Sequence, residues 1–141
     1  MPLFKKREPD LGDLAAYVVE SARGRGISVN HGRLVLLLYL LDAERIRGGR
    51  EPITGIAWEE GRRGPTAEGL DARLRALVQR EKESTRWGRG TARESFSDGA
   101  RGDDWVVATK LAVDRIVRDC AGLDLAELRD RADARPEPLA R

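Results

Sequence analysis

The sequence has few of the residues from which disulfides, metal sites and catalytic centres are built. Cys120 is the only cysteine among 141 residues, which excludes an intramolecular disulfide and a cysteine-based zinc site. His31 is the only histidine, so an imidazole-activated nucleophile would depend on this one residue. We therefore expect His31 to have a surface or capping role and Cys120 to be a small buried thiol.

Phosphate-binding glycine motifs are also absent. The pairs Gly24–Gly26 and Gly88–Gly90 lack the third glycine of the dinucleotide fingerprint, and no GxxxxGK[ST] sequence occurs. Carboxylate pairs such as Glu59–Glu60 stand among arginines, where charge balance at the surface explains them more simply than acid–base catalysis. We therefore expect no enzyme, and we assign no catalytic residue, no cofactor and no metal site.

Long apolar runs and a strong net charge are missing as well. The 26 Lys and Arg residues nearly balance the 24 Asp and Glu residues, for a formal charge of +2. The apolar run Leu34–Leu41 is far shorter than the roughly 20 residues of a membrane-spanning helix. The first ten residues, MPLFKKREPD, contain no apolar region of the kind found in secretory signals. We expect a cytoplasmic protein that does not contact a membrane.

Apolar residues at helical spacing, together with capping and stop residues, predict the helices of the first half. The first runs from Leu11, with Asp10 as its N-cap, to a stop at Gly24–Gly26. Asn30 caps the second, which carries the apolar run and stops at Gly48–Gly49. Because the second helix is apolar on all sides, we expect it in the centre of the fold.

Three further helices are predicted in the second half. Thr66 caps the first of them, another begins near Trp105, and Asp124 caps the last. The residues expected on the buried side of the helix near Trp105 are Val106, Val107, Leu111, Ile116 and Val117.

The segments between the helices have different compositions. Pro52–Trp58 is β-branched and apolar and predicts a short strand, and Gly61–Pro65 predicts a turn. Residues 84–104 are rich in Ser, Thr, Gly and Arg, which is typical of a long loop or a poorly paired hairpin. Trp87 in this loop is either an anchor for a partner protein or a side chain that folds back onto the domain.

The predicted fold class is mainly α (α+β): a compact helical domain around a central apolar helix, with a small β-hairpin or short strands. The length favours one domain. We divide it into a flexible leader over residues 1–10, the domain itself over 11–133, and a frayed tail over 134–141 that Pro136 and Pro138 mark.

Several short motifs follow one another in the same order as in a known protein family. Leu37–Asp42 reads LLYLLD, Pro52–Gly55 reads PITG, and Trp58 and then Gly64–Pro65 follow before the third helix. This order is similar to that of the Panacea domain, the SocA-like antitoxin domain of prokaryotic and phage toxin–antitoxin systems. Further segments that look like the family's C-terminal part are Val113–Val117 and Leu125–Arg129. The chain departs from the family pattern at Leu36, where a basic residue is common, and it has no histidine in Arg129–Ala134.

The resemblance implies an antitoxin that neutralises a cognate protein toxin by direct protein–protein binding. Such a protein blocks its toxin or delivers it to a cellular protease, which would then be a second partner. From the residues themselves, Tyr39 and Trp58 are better explained as parts of the scaffold. The alternative is that the Trp58–Pro65 turn and the adjacent helix faces form the surface that binds the partner. The family-motif and partner-binding candidates are Tyr39, Asp42, Trp58, Gly64, Pro65 and Trp87.

The alternative function is a winged-helix-like, DNA-binding transcriptional regulator. It would read DNA with Thr66–Glu81 and use Arg86–Arg101 as a wing. Neither segment is one-sidedly basic, because both contain acidic residues as well as arginines. Since phosphate binding requires an excess of cations on one face, nucleic acid is the less favoured partner.

Overall fold

The computed structural model describes residues 11–62, 64–86 and 104–140. The predicted leader, Trp87 and most of the predicted 84–104 loop lie outside the described residues. The helices are α1 (Leu11–Arg23), α2 (His31–Arg47), α3 (Leu70–Arg86), α4 (Asp104–Cys120) and α5 (Leu125–Asp133). A short 3-10 helix covers Glu137–Ala140, and strands β1 (Glu59–Gly61) and β2 (Gly64–Thr66) form an antiparallel hairpin. The mainly α fold class with a small hairpin is confirmed.

Helix α2 occupies the centre of the fold, as its composition predicts. It packs against each of the other four α-helices, against β2 and against the 3-10 helix. Nearly all of its residues from Leu34 to Ala43 are buried, Asp42 among them. An all-apolar helix is stable in this position because it has neighbours on every side and leaves no apolar face to water.

The predicted helix caps at Asn30 and Asp124 are confirmed. The Asn30 side chain accepts a hydrogen bond from the Arg33 N–H at 2.8 Å. Asp124 and Glu127 form a reciprocal capping box at the start of α5. Each cap satisfies N–H groups that the helix leaves without partners, which stabilises the fold by about 1 kcal/mol.

The Arg33 side chain ties α2 to the connection between α4 and α5. Its Nη1 donates to the Ala121 carbonyl oxygen at 2.6 Å and also to that of Leu123. Both carbonyls follow the end of α4, where backbone oxygens have no partners within the helix. The positive guanidinium in the first turn of α2 therefore binds the carbonyl oxygens at the negative C-terminal end of α4.

The prediction of a strand over Pro52–Trp58 is wrong. This segment is irregular in the structure, and the hairpin begins only at Glu59. The backbone N–H groups of Ile53 and Thr54 donate to the Asp42 carboxylate instead of to a neighbouring strand. A buried side-chain acceptor on α2 thus overrides the β-propensity of the segment.

The start of the third helix also differs from the prediction. Thr66 pairs with Glu59 inside β2 and does not cap a helix. Helix α3 begins at Leu70, directly after Gly69, whose φ of +70° suits a glycine. The predicted Gly61–Pro65 turn lies at the hairpin, but Gly64 and Pro65 belong to its second strand.

The buried face of α4 is partly mispredicted. Val107 and Leu111 are 57% and 63% exposed, whereas Ile116 and Val117 are buried as predicted. The side chain of Val106 lies outside the described part. The full set of buried residues described on this helix is Thr109, Val113, Ile116, Val117 and Cys120.

The C-terminal segment packs on the domain and does not fray over residues 134–140. Pro138 is buried, Leu139 packs against the core, and the 3-10 helix contacts α2. Glu137 also forms an ion pair with Arg47 at 3.3 Å. The prolines therefore end α5 without releasing the chain from the core. Among the described residues, no helix has both the length and the apolar character that crossing a bilayer requires.

Candidate functional site

A buried carboxylate on α2 organises the segment that leads into the hairpin. Asp42 is fully buried, and its Oδ1 accepts from the Ile53 N–H at 2.8 Å and the Thr54 N–H at 3.1 Å. Its Oδ2 accepts from the Thr54 hydroxyl at 2.5 Å and from the Trp58 indole Nε1–H at 2.8 Å. An acceptor-only carboxylate matches these four donors, which offsets the cost of burying it.

Tyr39 completes this arrangement from the preceding turn of α2. Its ring meets the Trp58 ring edge-to-face, with centroids 5.2 Å apart and planes 89° apart. The Tyr39 hydroxyl donates to the Arg135 carbonyl oxygen at 2.5 Å, after α5 has ended. We call the five residues Tyr39, Asp42, Ile53, Thr54 and Trp58 the Asp42 cluster. It fastens both the pre-hairpin segment (residues 52–58) and the C-terminal segment (residues 134–140) to α2.

The surroundings of Tyr39 shift its ionisation. Burial, with smaller contributions from the negative charges of Glu137, Asp133 and Glu60, raises the pKa of Tyr39 to about 12. The phenol therefore stays protonated and donates its hydrogen bond to the Arg135 carbonyl at any physiological pH. A neutral phenol is the form that this hydrogen bond to the Arg135 carbonyl requires.

The hairpin that follows the Asp42 cluster is held in shape by two glycines. A Cβ on Gly61 would lie 2.8 Å from Cγ2 of Thr66 and 3.0 Å from the Gly64 carbonyl oxygen. Gly64 has a φ of +111°, a conformation that other residues rarely adopt. Pro65 follows it and is buried. The Gly64–Pro65 pair thus sets the path of β2 towards α2 and α5, both of which it contacts.

An open groove of about 560 Å³ lies where the hairpin meets the helices. We call it the hairpin groove. The elements that line it are the first turns of α2, both strands of the hairpin, the start of α3 and one face of α5. Its lining residues are Asn30, His31, Gly32, Val35, Leu36, Gly61, Arg62, Gly64, Pro65, Thr66, Asp71, Leu125 and Arg129.

The charges in the hairpin groove are unevenly distributed. Asp71 is the only acidic residue among those lining the groove. Its carboxylate lies 3.7 Å from His31 Nε2 and 3.9 Å from an Arg75 nitrogen, one turn further along α3. Arg62 and Arg129 are exposed, and no ion pair joins them to any other described residue. The groove therefore presents positive charge.

The structure separates the predicted site residues into two groups. Tyr39, Asp42 and Trp58 are joined in the Asp42 cluster and support the fold, whereas Gly64 and Pro65 line the hairpin groove. Sequence reasoning missed Arg62 and Arg129 because an exposed arginine has no local pattern that distinguishes it. It also gave no role to Thr54, although the PITG segment of the resemblance contains it.

Cys120 and His31, the single cysteine and the single histidine, both contact other parts of the fold. Cys120 is buried in α4, and burial raises the pKa of its thiol, which makes the thiolate scarce. His31 contacts Asp71 and Arg75 at the edge of the hairpin groove. Within residues 11–62, 64–86 and 104–140, no group of three or more His, Cys, Asp or Glu residues could hold a metal ion.

Comparison of the chain with protein-family models, with curated protein sequences and with solved structures gives no match. The class that the geometry defines is a small helical domain with a buried polar cluster and an open, positively charged groove beside a hairpin.

Proposed function

We propose that this chain is a Panacea-like antitoxin that neutralises a cognate protein toxin by direct binding. The observation that carries the proposal is the meeting of the motif segments at one place. Leu37–Asp42, Pro52–Gly55 and Trp58 converge in the Asp42 cluster, and Gly64–Pro65 continues from it into the hairpin groove. Motif residues that are far apart in sequence thus form one unit, as a shared family scaffold requires.

The proposed mechanism uses binding alone. A stable protein–protein interface buries about 800 Å² on each partner, which is more than the hairpin groove offers by itself. The toxin would therefore also contact the adjacent faces of α2, α3 and α5. The lifetime of the complex then sets the concentration of free toxin, and delivery of the toxin to a protease is a variant of the same binding step. The protein acts in the cytoplasm in this proposal.

The genes next to the coding sequence provide the decisive test. Each neighbouring open reading frame is expressed alone from an inducible promoter, then together with this chain. We expect one of them to arrest growth alone and to be tolerated when this chain is present, and the two proteins to co-purify. The control is a variant of this chain that fails to fold, such as one with Leu37→Asp in the core. Absence of a toxic neighbour would contradict the proposal.

A further inference from the structure

The hairpin groove combines an apolar floor with positive charge at its edges. Leu36 and Pro65 are buried, Val35 is half-buried, and Leu125 is 45% exposed beside them. A single exposed leucine is ordinary on a protein surface, but Leu125 extends the apolar lining of this recess. An apolar side chain from a partner would fill this recess and remove Leu125 from water.

The charged residues indicate which kind of partner segment the groove fits. Asp71 already has two basic neighbours, His31 and Arg75, so it adds little negative charge to the recess. Arg62 reaches the groove from the hairpin, and Arg129 reaches it from α5. Guanidinium groups bind carboxylates through two parallel hydrogen bonds, and here no described acid competes for either of them as an ion-pair partner.

We propose that the hairpin groove binds an acidic peptide segment of the partner protein. Its carboxylates bind Arg62 and Arg129, and a neighbouring apolar side chain packs on Val35, Leu36 and Leu125. The identification of this partner with the toxin rests on the proposed function. The groove's preference for an acidic and apolar segment does not depend on the proposed function.

A nucleic-acid backbone fits the same surface less well. Glu59 and Glu60 are exposed on β1, beside the groove, and would repel a continuous row of phosphates. The apolar floor also has no counterpart on a phosphate backbone. A short peptide segment can carry carboxylates only where Arg62 and Arg129 lie and place an apolar side chain on the floor, whereas a nucleic acid carries a charge at every nucleotide.

The first experiment measures the affinity of the purified full chain for its toxin. The double variant Arg62→Glu/Arg129→Glu is compared with Arg25→Glu/Arg50→Glu, which makes the same change in net charge at exposed positions outside the groove. We expect the groove variant to raise Kd at least about tenfold and the control to raise it less than about threefold. Thermal melts of both variants verify that they fold. Equal affinities for the groove variant and the wild type would overturn the assignment of the groove as the binding site. The proposed antitoxin function would not be affected by that result.

The second experiment needs no toxin. A random twelve-residue peptide display library is selected on the full chain, and enriched peptides are tested against both double variants. We expect Asp or Glu beside a large apolar residue, and binding that the groove variant loses and the control retains. No enrichment, enrichment of peptides without acids, or equal binding by the groove variant would overturn the inference. So would a 20-base-pair DNA duplex that binds the wild type and not the groove variant. If the peptides behave as expected and no neighbouring gene is toxic, the proposed function fails and the groove stands.

Discussion

Replacing Asp42 by asparagine tests whether one buried carboxylate holds the pre-hairpin segment to α2. The two side chains have nearly the same shape, but the amide nitrogen donates hydrogen bonds and cannot accept them. In the wild type, both carboxylate oxygens accept, two bonds each. The Asp42→Asn variant keeps only one of these oxygens, and the Ile53 and Thr54 N–H groups determine which side that oxygen takes.

The cost follows from what faces the new amide nitrogen. The Thr54 hydroxyl can rotate and accept from it, but the Trp58 indole N–H can only donate and loses its partner. An unsatisfied donor in a buried site costs about 1–3 kcal/mol, and the two retained bonds lose the added strength that a charged acceptor gives. We expect Asp42→Asn to lower the free energy of unfolding by about 3 kcal/mol.

A double-mutant cycle with Trp58→Phe isolates the cause. In the wild-type background this substitution removes one hydrogen bond to a charged acceptor and costs about 2 kcal/mol, including lost packing. In the Asp42→Asn background it removes the donor that has no partner, so its cost should fall by about 1–2 kcal/mol. Urea unfolding followed by circular dichroism at 222 nm measures all four proteins without relying on tryptophan fluorescence.

Two results would refute this reasoning. A loss below about 1 kcal/mol for Asp42→Asn would mean that the carboxylate is not needed as a four-fold acceptor. Additivity of the two substitutions within about 0.5 kcal/mol would mean that Asp42 and Trp58 do not interact energetically. In either case the Asp42 cluster would not be what positions the hairpin.

Three further predictions concern other parts of the fold. Tyr39 has a raised folded-state pKa of about 12, so the unfolded chain ionises first. Stability should therefore fall between about pH 10 and pH 12 more steeply in the wild type than in Tyr39→Phe, as measured by urea unfolding across that range. Arg33→Lys should cost about 1–2 kcal/mol in the same assay at neutral pH, because the lysine side chain is shorter and its ammonium group cannot reach both carbonyls that Nη1 of Arg33 contacts. Gly61→Ala should lower the free energy of unfolding by about 1–3 kcal/mol through its clash with Thr66, whereas Gly32→Ala in the first turn of α2 should be neutral or stabilising.

The centre of the fold could be predicted because its signals are local. An all-apolar run, a capping Asn30 and a stop at Gly48–Gly49 lie within one stretch of sequence and define α2 without knowledge of its neighbours. The same is true of α5, whose capping box lies within four consecutive residues. The buried position of α2 then follows from its composition alone.

The errors lie where a distant side chain decides the local structure. The Pro52–Trp58 segment has the composition of a strand, but the Asp42 carboxylate eleven and twelve residues away takes its N–H groups. Helix α4 carries apolar residues around more than half of its circumference, so its spacing alone cannot select the buried face. Contacts with α1 and α2 select the Val113–Val117 side and leave Leu111 exposed.

Residues that support the hairpin and residues that line the groove should affect partner binding in different ways. Asp42 and Trp58 do not line the hairpin groove, yet they fix the chain immediately before β1, and Arg62 directly follows that strand. Substitutions in the Asp42 cluster should therefore weaken partner binding through the position and stability of the hairpin. Substitutions at Arg62 and Arg129 should weaken it without loss of stability, because both side chains are exposed and join no described ion pair. Comparing affinity with unfolding free energy for both sets thus separates the residues that build the surface from those that contact the partner.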